Sequence, residues 1–182
     1  MSKQILVIRG SARADGYTNR LCDEVASICK DCTVRYFDTY KEEFEPCTGC
    51  NYCGSNGKCV YRDLDAFFEA FETSDVIVFA SPVFNGCFSA PIKALIDRFQ
   101  VYYTGYFAKG RVQQIEKHRD AILITAAGQS GEEATAYMSA QLSCAFTILN
   151  MRLKRSILCS YTDTEPCYEQ ALEELRRSLS DE

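Results

Sequence analysis

The sequence lacks the features that would take a chain into a membrane, onto a nucleic acid or out of the cell. No apolar run approaches the roughly 18 residues that a membrane-spanning helix needs. There is no basic surplus: the net charge is -5, which argues against a nucleic-acid-binding surface. The opening stretch, "MSKQILVIRGSARADG", has a short apolar run stopped by Arg9 and Gly10. It lacks the length and the small-residue cleavage site of a secretion signal. A cytoplasmic protein with reduced thiols is the expectation. Internal repeats, low-complexity tracts and linkers are also missing, so residues 1–182 read as a single domain. The only histidine, His118, lies in the charged stretch "EKHRD", a solvated setting rather than a catalytic one. No side chain is assigned an acid, base or nucleophile role.

What the chain does have is cysteine, eleven in all. An odd count leaves at least one unpaired under any all-disulfide scheme. In a reducing compartment the abundance points to metal or redox chemistry. Four of them, Cys47, Cys50, Cys53 and Cys59, fall in "PCTGCNYCGSNGKC" within a cysteine-rich loop at 46–62. The other seven (Cys22, Cys29, Cys32, Cys87, Cys144, Cys159 and Cys167) are scattered, and most read as small core hydrophobes. Cys87 is the exception, next to a loop that carries chemistry.

The apolar pattern gives strands at 4–10, 33–40, 75–83, 120–128 and 153–161. Helices are predicted at 18–32, 63–74, 89–103, 131–150 and 165–182. Thr18 is the expected N-cap of the first, Asp63 and Asp65 open the second, and Pro91 sits in the first turn of the third. Lys93 and Asp97 form an i,i+4 pair on that helix. Strands that are apolar on both faces and alternate with amphipathic helices mean an α/β parallel sheet covered on both sides. Five such strands fit the flavodoxin-like doubly wound order 2-1-3-4-5, whose ligands bind beyond the carboxyl ends of the strands.

Three loops at that edge carry polar and small residues. The first, "GSARADGYTNR", places Ser11, Arg13, Gly16, Tyr17, Thr18 and Asn19 at a helix N-terminus, where amides favour an anion such as phosphate. It is neither a Walker loop nor G-x-G-x-x-G, and its composition also suits an ordinary turn and cap. The second, "ASPVFNGCFSAP", brings Pro82, Val83, Phe84, Asn85 and Gly86, which suit the edge of a flat heterocycle or a plain strand–helix connection. The third, "TAAGQSGEE", brings Ala127, Gly128 and Gln129, where backbone can approach a planar ring; a glycine turn before a helix capped by Ser130 reads equally well.

Taken in order, "GSARADGYTNRL", "CTGCNYCGSNGKCVYRDLD" and "ASPVFNGCFSAPIKALIDRF" resemble the NADPH-dependent FMN reductase-like flavoproteins, and within them the iron–sulfur flavoproteins. The resemblance implies that Ser11, Arg13, Gly16, Tyr17, Thr18 and Asn19 hold the FMN phosphate. It places Pro82, Val83, Phe84, Asn85 and Gly86 along the isoalloxazine, with Ala127, Gly128 and Gln129 on its other side. Phe84 stands where many relatives have tyrosine, and Gly16 where many have serine or threonine. The implied activity is an NAD(P)H-dependent FMN oxidoreductase that passes electrons to a small-molecule acceptor such as a quinone or free flavin. The alternative is an electron carrier between FMN, a [4Fe-4S] cluster and a ferredoxin-like protein; a non-enzymatic flavin- or zinc-binding module is a third. Homodimers or homotetramers are implied as well. For Cys47, Cys50, Cys53 and Cys59 three readings stay open: a cluster held by four thiolates, a zinc ion, or an empty or partly oxidised thiol loop.

Overall fold

The computed structural model describes residues 2–180. β1 (Gln4–Arg9), β2 (Thr33–Asp38), β3 (Val76–Pro82), β4 (Arg119–Ala126) and β5 (Met151–Cys159) form one sheet in the order β2-β1-β3-β4-β5. Every pairing is parallel, with Val7 beside Tyr36 and Val78, and Val78 beside Ile122. Successive strand side chains point to opposite faces, and the core divides accordingly. Ile5, Val7, Val78, Ile122 and Ile124 face α1 (Tyr17–Ile28) and α7 (Tyr168–Ser180). Leu6, Ile8, Ile77, Phe79 and Leu123 face α3 (Asp65–Thr73), α4 (Ala90–Arg98), α5 (Gln100–Ala108) and α6 (Glu132–Phe146). A short helix, α2 (Tyr52–Asn56), lies inside the cysteine-rich loop. The flavodoxin-like order expected from the sequence is the order observed.

Several boundaries differ from the sequence-based expectation. The helix expected at 89–103 is two helices that meet at Phe99, whose backbone N–H turns back to the carbonyl of Ile96. Phe99 is buried against Phe67, Phe71, Phe79 and Tyr102, so aromatic packing sets the break. Asp63 precedes α3 and is drawn instead to Arg98. The N-cap of α1 is Gly16 rather than Thr18, and that of α6 is the left-handed Gly131 rather than Ser130. The last helix is described from Tyr168 to Ser180; positions 181–182 of the expected span lie outside the described residues.

The scattered cysteines also need correction. Cys22 and Cys159 are buried, but Cys144 is exposed and Cys87 and Cys167 are half-buried. Cys29 and Cys32 are joined as a disulfide just past the end of α1, where reduced core thiols were expected. Their i,i+3 spacing and the helix end bring the two Cα atoms to 5.4 Å. Among the described residues, no helix is long and apolar enough to cross a membrane.

Candidate functional site: a cradle at the sheet edge and a ring of thiols

Four loops meet beyond the carboxyl ends of the strands, and backbone hydrogen bonds hold them in place. Gly10 N–H donates to Ala80 O at 2.8 Å, which fastens the first loop to β3. Gly10 has to be glycine, because a Cβ there would lie 2.1 Å from the Ile92 side chain and 2.7 Å from the Ala80 carbonyl. Val83 N–H donates to Ala126 O at 2.8 Å. Ala127 N–H donates to Cys159 O, and Thr162 N–H donates back to Ala127 O, both at 3.0 Å. Behind the loops, the buried Ser89 hydroxyl donates to Gly10 O at 2.7 Å, and Ser89 N–H donates to the Ser81 hydroxyl at 3.0 Å.

These loops enclose a cavity of about 580 Å³, within the range of roughly 300–1,000 Å³ common for small-ligand sites. Of the residues singled out from the sequence, Ser11, Arg13, Gly16, Tyr17, Thr18, Pro82, Val83, Phe84 and Gly128 line it. At one end stands the N-terminus of α1. No side chain caps it, so its first amides face the cavity with the positive end of the helix dipole. Arg13 is exposed beside these amides, and Ser11 is buried with its hydroxyl accepting from Arg13 N–H. The chain therefore offers amides, hydroxyls and a guanidinium to one anion.

Other predicted residues take different places. Asn19 is buried and donates through Nδ2 to Ser11 O (3.1 Å) and Arg13 O (2.9 Å). It shapes the first loop from behind, and its Oδ1 is without a partner. Phe84-Asn85-Gly86-Cys87 forms a tight hairpin, with Phe84 and Cys87 exchanging both backbone hydrogen bonds. Asn85 and Gly86 both have positive φ (51° and 75°), the backbone that an Asn-Gly turn supplies. The turn holds the half-exposed Phe84 ring at the mouth, while Asn85 and Gly86 are exposed and lie outside the lining. Ala127 and Gln129 carry the backbone contacts of the third loop rather than lining the cavity.

Asp15, Tyr40, Ala126, Thr162 and Asp163 line the cavity without having been expected there. Thr162 and Asp163 follow β5, a loop the sequence reading did not include. The Asp163 carboxylate lies over Gly128, where a Cβ would come within 2.2 Å of Oδ2.

A second cavity, of about 300 Å³, is lined by all four cysteines of the loop, together with Tyr61, Asp97, Arg98, Val101 and Thr104. Gly49, Asn51 and Gly57 take left-handed conformations (φ 67°, 59° and 67°), which lets the short segment wind around the opening. Among the described residues, no three His, Cys, Asp or Glu side chains converge closely enough to hold one metal ion. The thiols surround a space instead. The two cavities sit at opposite ends of α4: the loop before it lines the first, and Asp97 and Arg98 at its end line the second. The helix between them has nine residues and is about 13 Å long at 1.5 Å per residue.

Residues 4–162 match the family described as NADPH-dependent FMN reductase. Among curated proteins, an iron–sulfur flavoprotein of Methanocaldococcus jannaschii is 29% identical over 135 residues, 72% of this chain and 67% of that protein. One of Archaeoglobus fulgidus is 30% identical over 138 residues, 72% of this chain and 59% of that protein. The matched stretch thus spans about three-fifths to two-thirds of those relatives. Among solved structures, an NAD(P)H:quinone oxidoreductase from Methanothermobacter marburgensis superposes with a TM-score of 0.72 at 16% identity, over 98% of this chain and 95% of that one.

Proposed function

The chain belongs to the NADPH-dependent FMN reductase family, and from that membership we propose that the cavity at the sheet edge holds FMN in an NAD(P)H-dependent oxidoreductase. The carrying observation is convergence. Nine residues singled out by sequence, from three separate loops, line one cavity at the uncapped N-terminus of α1. Bound FMN would supply hydride acceptance from NAD(P)H and delivery of electrons to a small acceptor such as a quinone.

The protein's part is placement. The α1 amides, Ser11, Thr18 and Arg13 hold the phosphate, and Asn19 keeps their loop in shape by holding two of its carbonyls. Pro82 and Val83 offer backbone and apolar surface to one edge of the ring system, and the hairpin sets Phe84 at its rim. Gly128 lines the opposite side of the cavity, with the Asp163 carboxylate packed over it. No acid or base is needed from the protein, and none is assigned.

The four-cysteine cavity favours a second activity on the same chain. Sulfurs arranged around a space suit a [4Fe-4S] cluster, held by four thiolates, better than a single zinc ion, which needs ligands at about 2.3 Å. Such a cluster would let electrons leave singly towards a ferredoxin-like protein.

Titration of apoprotein with FMN tests the principal reading. Wild-type protein is expected to quench flavin fluorescence at one FMN per chain. The Arg13→Ala/Thr18→Ala double variant is expected to bind at least tenfold more weakly, because charge-assisted contacts to phosphate are lost. Equal affinity in the two proteins rejects the first loop as the phosphate site.

A further inference from the structure

The segment that carries the four cysteines, residues 46–60, is held at both ends by one buried side chain. Arg98 is the last residue of α4 and is 1% exposed. Its Nη1 donates to Glu45 O at 2.6 Å, and its Nη2 donates to Tyr61 O at 3.1 Å. Those two carbonyls belong to the residues immediately outside the segment. The guanidinium also forms a forked pair with Asp63, Nη2 to Oδ1 at 2.8 Å and Nη1 to Oδ2 at 3.2 Å. Asp63 in turn accepts Glu45 N–H at 2.7 Å. Both backbone groups of Glu45 are therefore tied to the same ion pair, and the mouth of the loop is closed.

The same guanidinium lines the cavity beside Cys59. A guanidinium keeps its charge at any ordinary pH, so a permanent cation stands at the wall of a cavity ringed by thiols, reached from a helix and not from the loop itself. A planar fork suits this task, because it can hold two carbonyls and a carboxylate at once. A lysine offers charge without the fork.

We propose that Arg98 is the positioning residue of the four-cysteine site: it clamps the two ends of the loop and sets a fixed positive charge against whatever anionic group the thiols hold. The clamp stands on the hydrogen bonds alone. The charge half rests on the cluster reading, since a cluster with four thiolates is anionic and its potential follows net charge and local hydrogen bonding.

The test uses full-length protein with Arg98→Lys, Arg98→Met and Asp63→Asn. Hydrogen exchange of apoprotein reads the clamp. Amide exchange over residues 45–62 is expected to speed up at least tenfold in Arg98→Met and less in Arg98→Lys and Asp63→Asn, with β1 and β3 unchanged as the folding control. Unchanged exchange over 45–62 in Arg98→Met overturns the clamp, and should that variant not fold, the same readout in Arg98→Lys decides. Anaerobic reconstitution with ferrous iron and sulfide reads the charge. Wild-type and Arg98→Lys protein are expected to share a similar midpoint potential. Arg98→Met should need a lower one, by a tenfold change in the reduced-to-oxidised ratio, or about 59 mV for one electron. Equal potentials in Arg98→Met and wild type overturn the charge role. Wild-type protein that takes up no iron instead rejects the cluster reading and the charge role with it, while the exchange result still decides the clamp.

Discussion

Cysteine side chains in this chain range from inert to accessible, and burial decides which is which. Cys22 is fully buried, and burial pushes its thiol up to about 12. Cys159 is also fully covered, and desolvation raises it to about 11. Cys144 is exposed on α6. Only the thiolate is nucleophilic, so iodoacetamide at pH 8 should modify Cys144 within minutes and leave Cys22 and Cys159 untouched until denaturant is added. Peptide mass spectrometry reads this directly, and equal labelling of Cys22 in native protein would contradict the packing described. Carboxylates give a second handle. Burial works to raise the Asp75 pKa, but the Gln4 amide and Lys117 bring it below its ordinary value. For Asp120, hydrogen bonding to Arg152 is the main cause of a lowered pKa. A folded pKa below the unfolded one means the stabilisation is complete above the unfolded value, near 3.9, and is lost as pH falls through the folded value. Urea midpoints should therefore hold steady from pH 7 to about 5 and fall below about 4, with a shallower fall in Asp75→Asn. A midpoint that rises on acidification would contradict these pairings. Composition could not show that Asn19 supports the first loop from behind or that Arg98 and Arg119 are buried. Each depends on where carbonyls from distant segments end up. Arg119, for instance, donates to Phe71 O and Leu149 O, both at 2.6 Å.

Elements were readable where period and burial agree and hidden where they are short. The central strands announce themselves because both faces are apolar, as in Val76 to Ala80 of β3, each buried, whereas the edge strands β2 and β5 carry exposed polar residues such as Arg35 and Arg152. The helix α2 has five residues, "YCGSN", which is too few to show any period. The break at Phe99 leaves no sequence mark, because Gln100 to Ala108 continues the apolar pattern and only aromatic contacts end α4. The loop after β5 escaped notice for a related reason. Thr162 and Asp163 reach the cavity only because β5 lies beside β4, which brings Thr162 N–H onto Ala127 O. The junction between β1 and α4 gives a prediction at this scale. Gly10→Ala would press a Cβ into the Ile92 side chain and the Ala80 carbonyl, and overpacking of this kind costs about 1–3 kcal/mol. Thermal unfolding should shift down accordingly, with weaker FMN binding because the first loop is pushed off β3. An unchanged melting temperature would mean that the two segments do not touch as closely as described.

At the scale of the whole molecule, the sheet order explains why chemistry gathers at one edge. β1 and β3 are neighbours whose following helices lie on opposite faces, α1 on one and α4 on the other, so their loops diverge and leave a crevice between them. The cavity with Ser11, Thr18, Pro82 and Gly128 lies there. The thiol cavity is anchored to the far end of α4 and shares no loop with the cavity at the sheet edge. Replacing Cys53 with serine should therefore lose most reconstituted iron and leave the FMN affinity within twofold; a parallel loss of FMN would show that the two cavities are one structural unit. The proposed reaction is reduction of FMN held at the sheet edge by a nicotinamide nucleotide. Anaerobic mixing of FMN-loaded protein with NADH or NADPH, followed by absorbance, tests it most directly. The oxidised flavin bands are expected to bleach with at least one nucleotide; a flavin that stays oxidised with both, yet bleaches on adding dithionite, would rule out the reductase reaction.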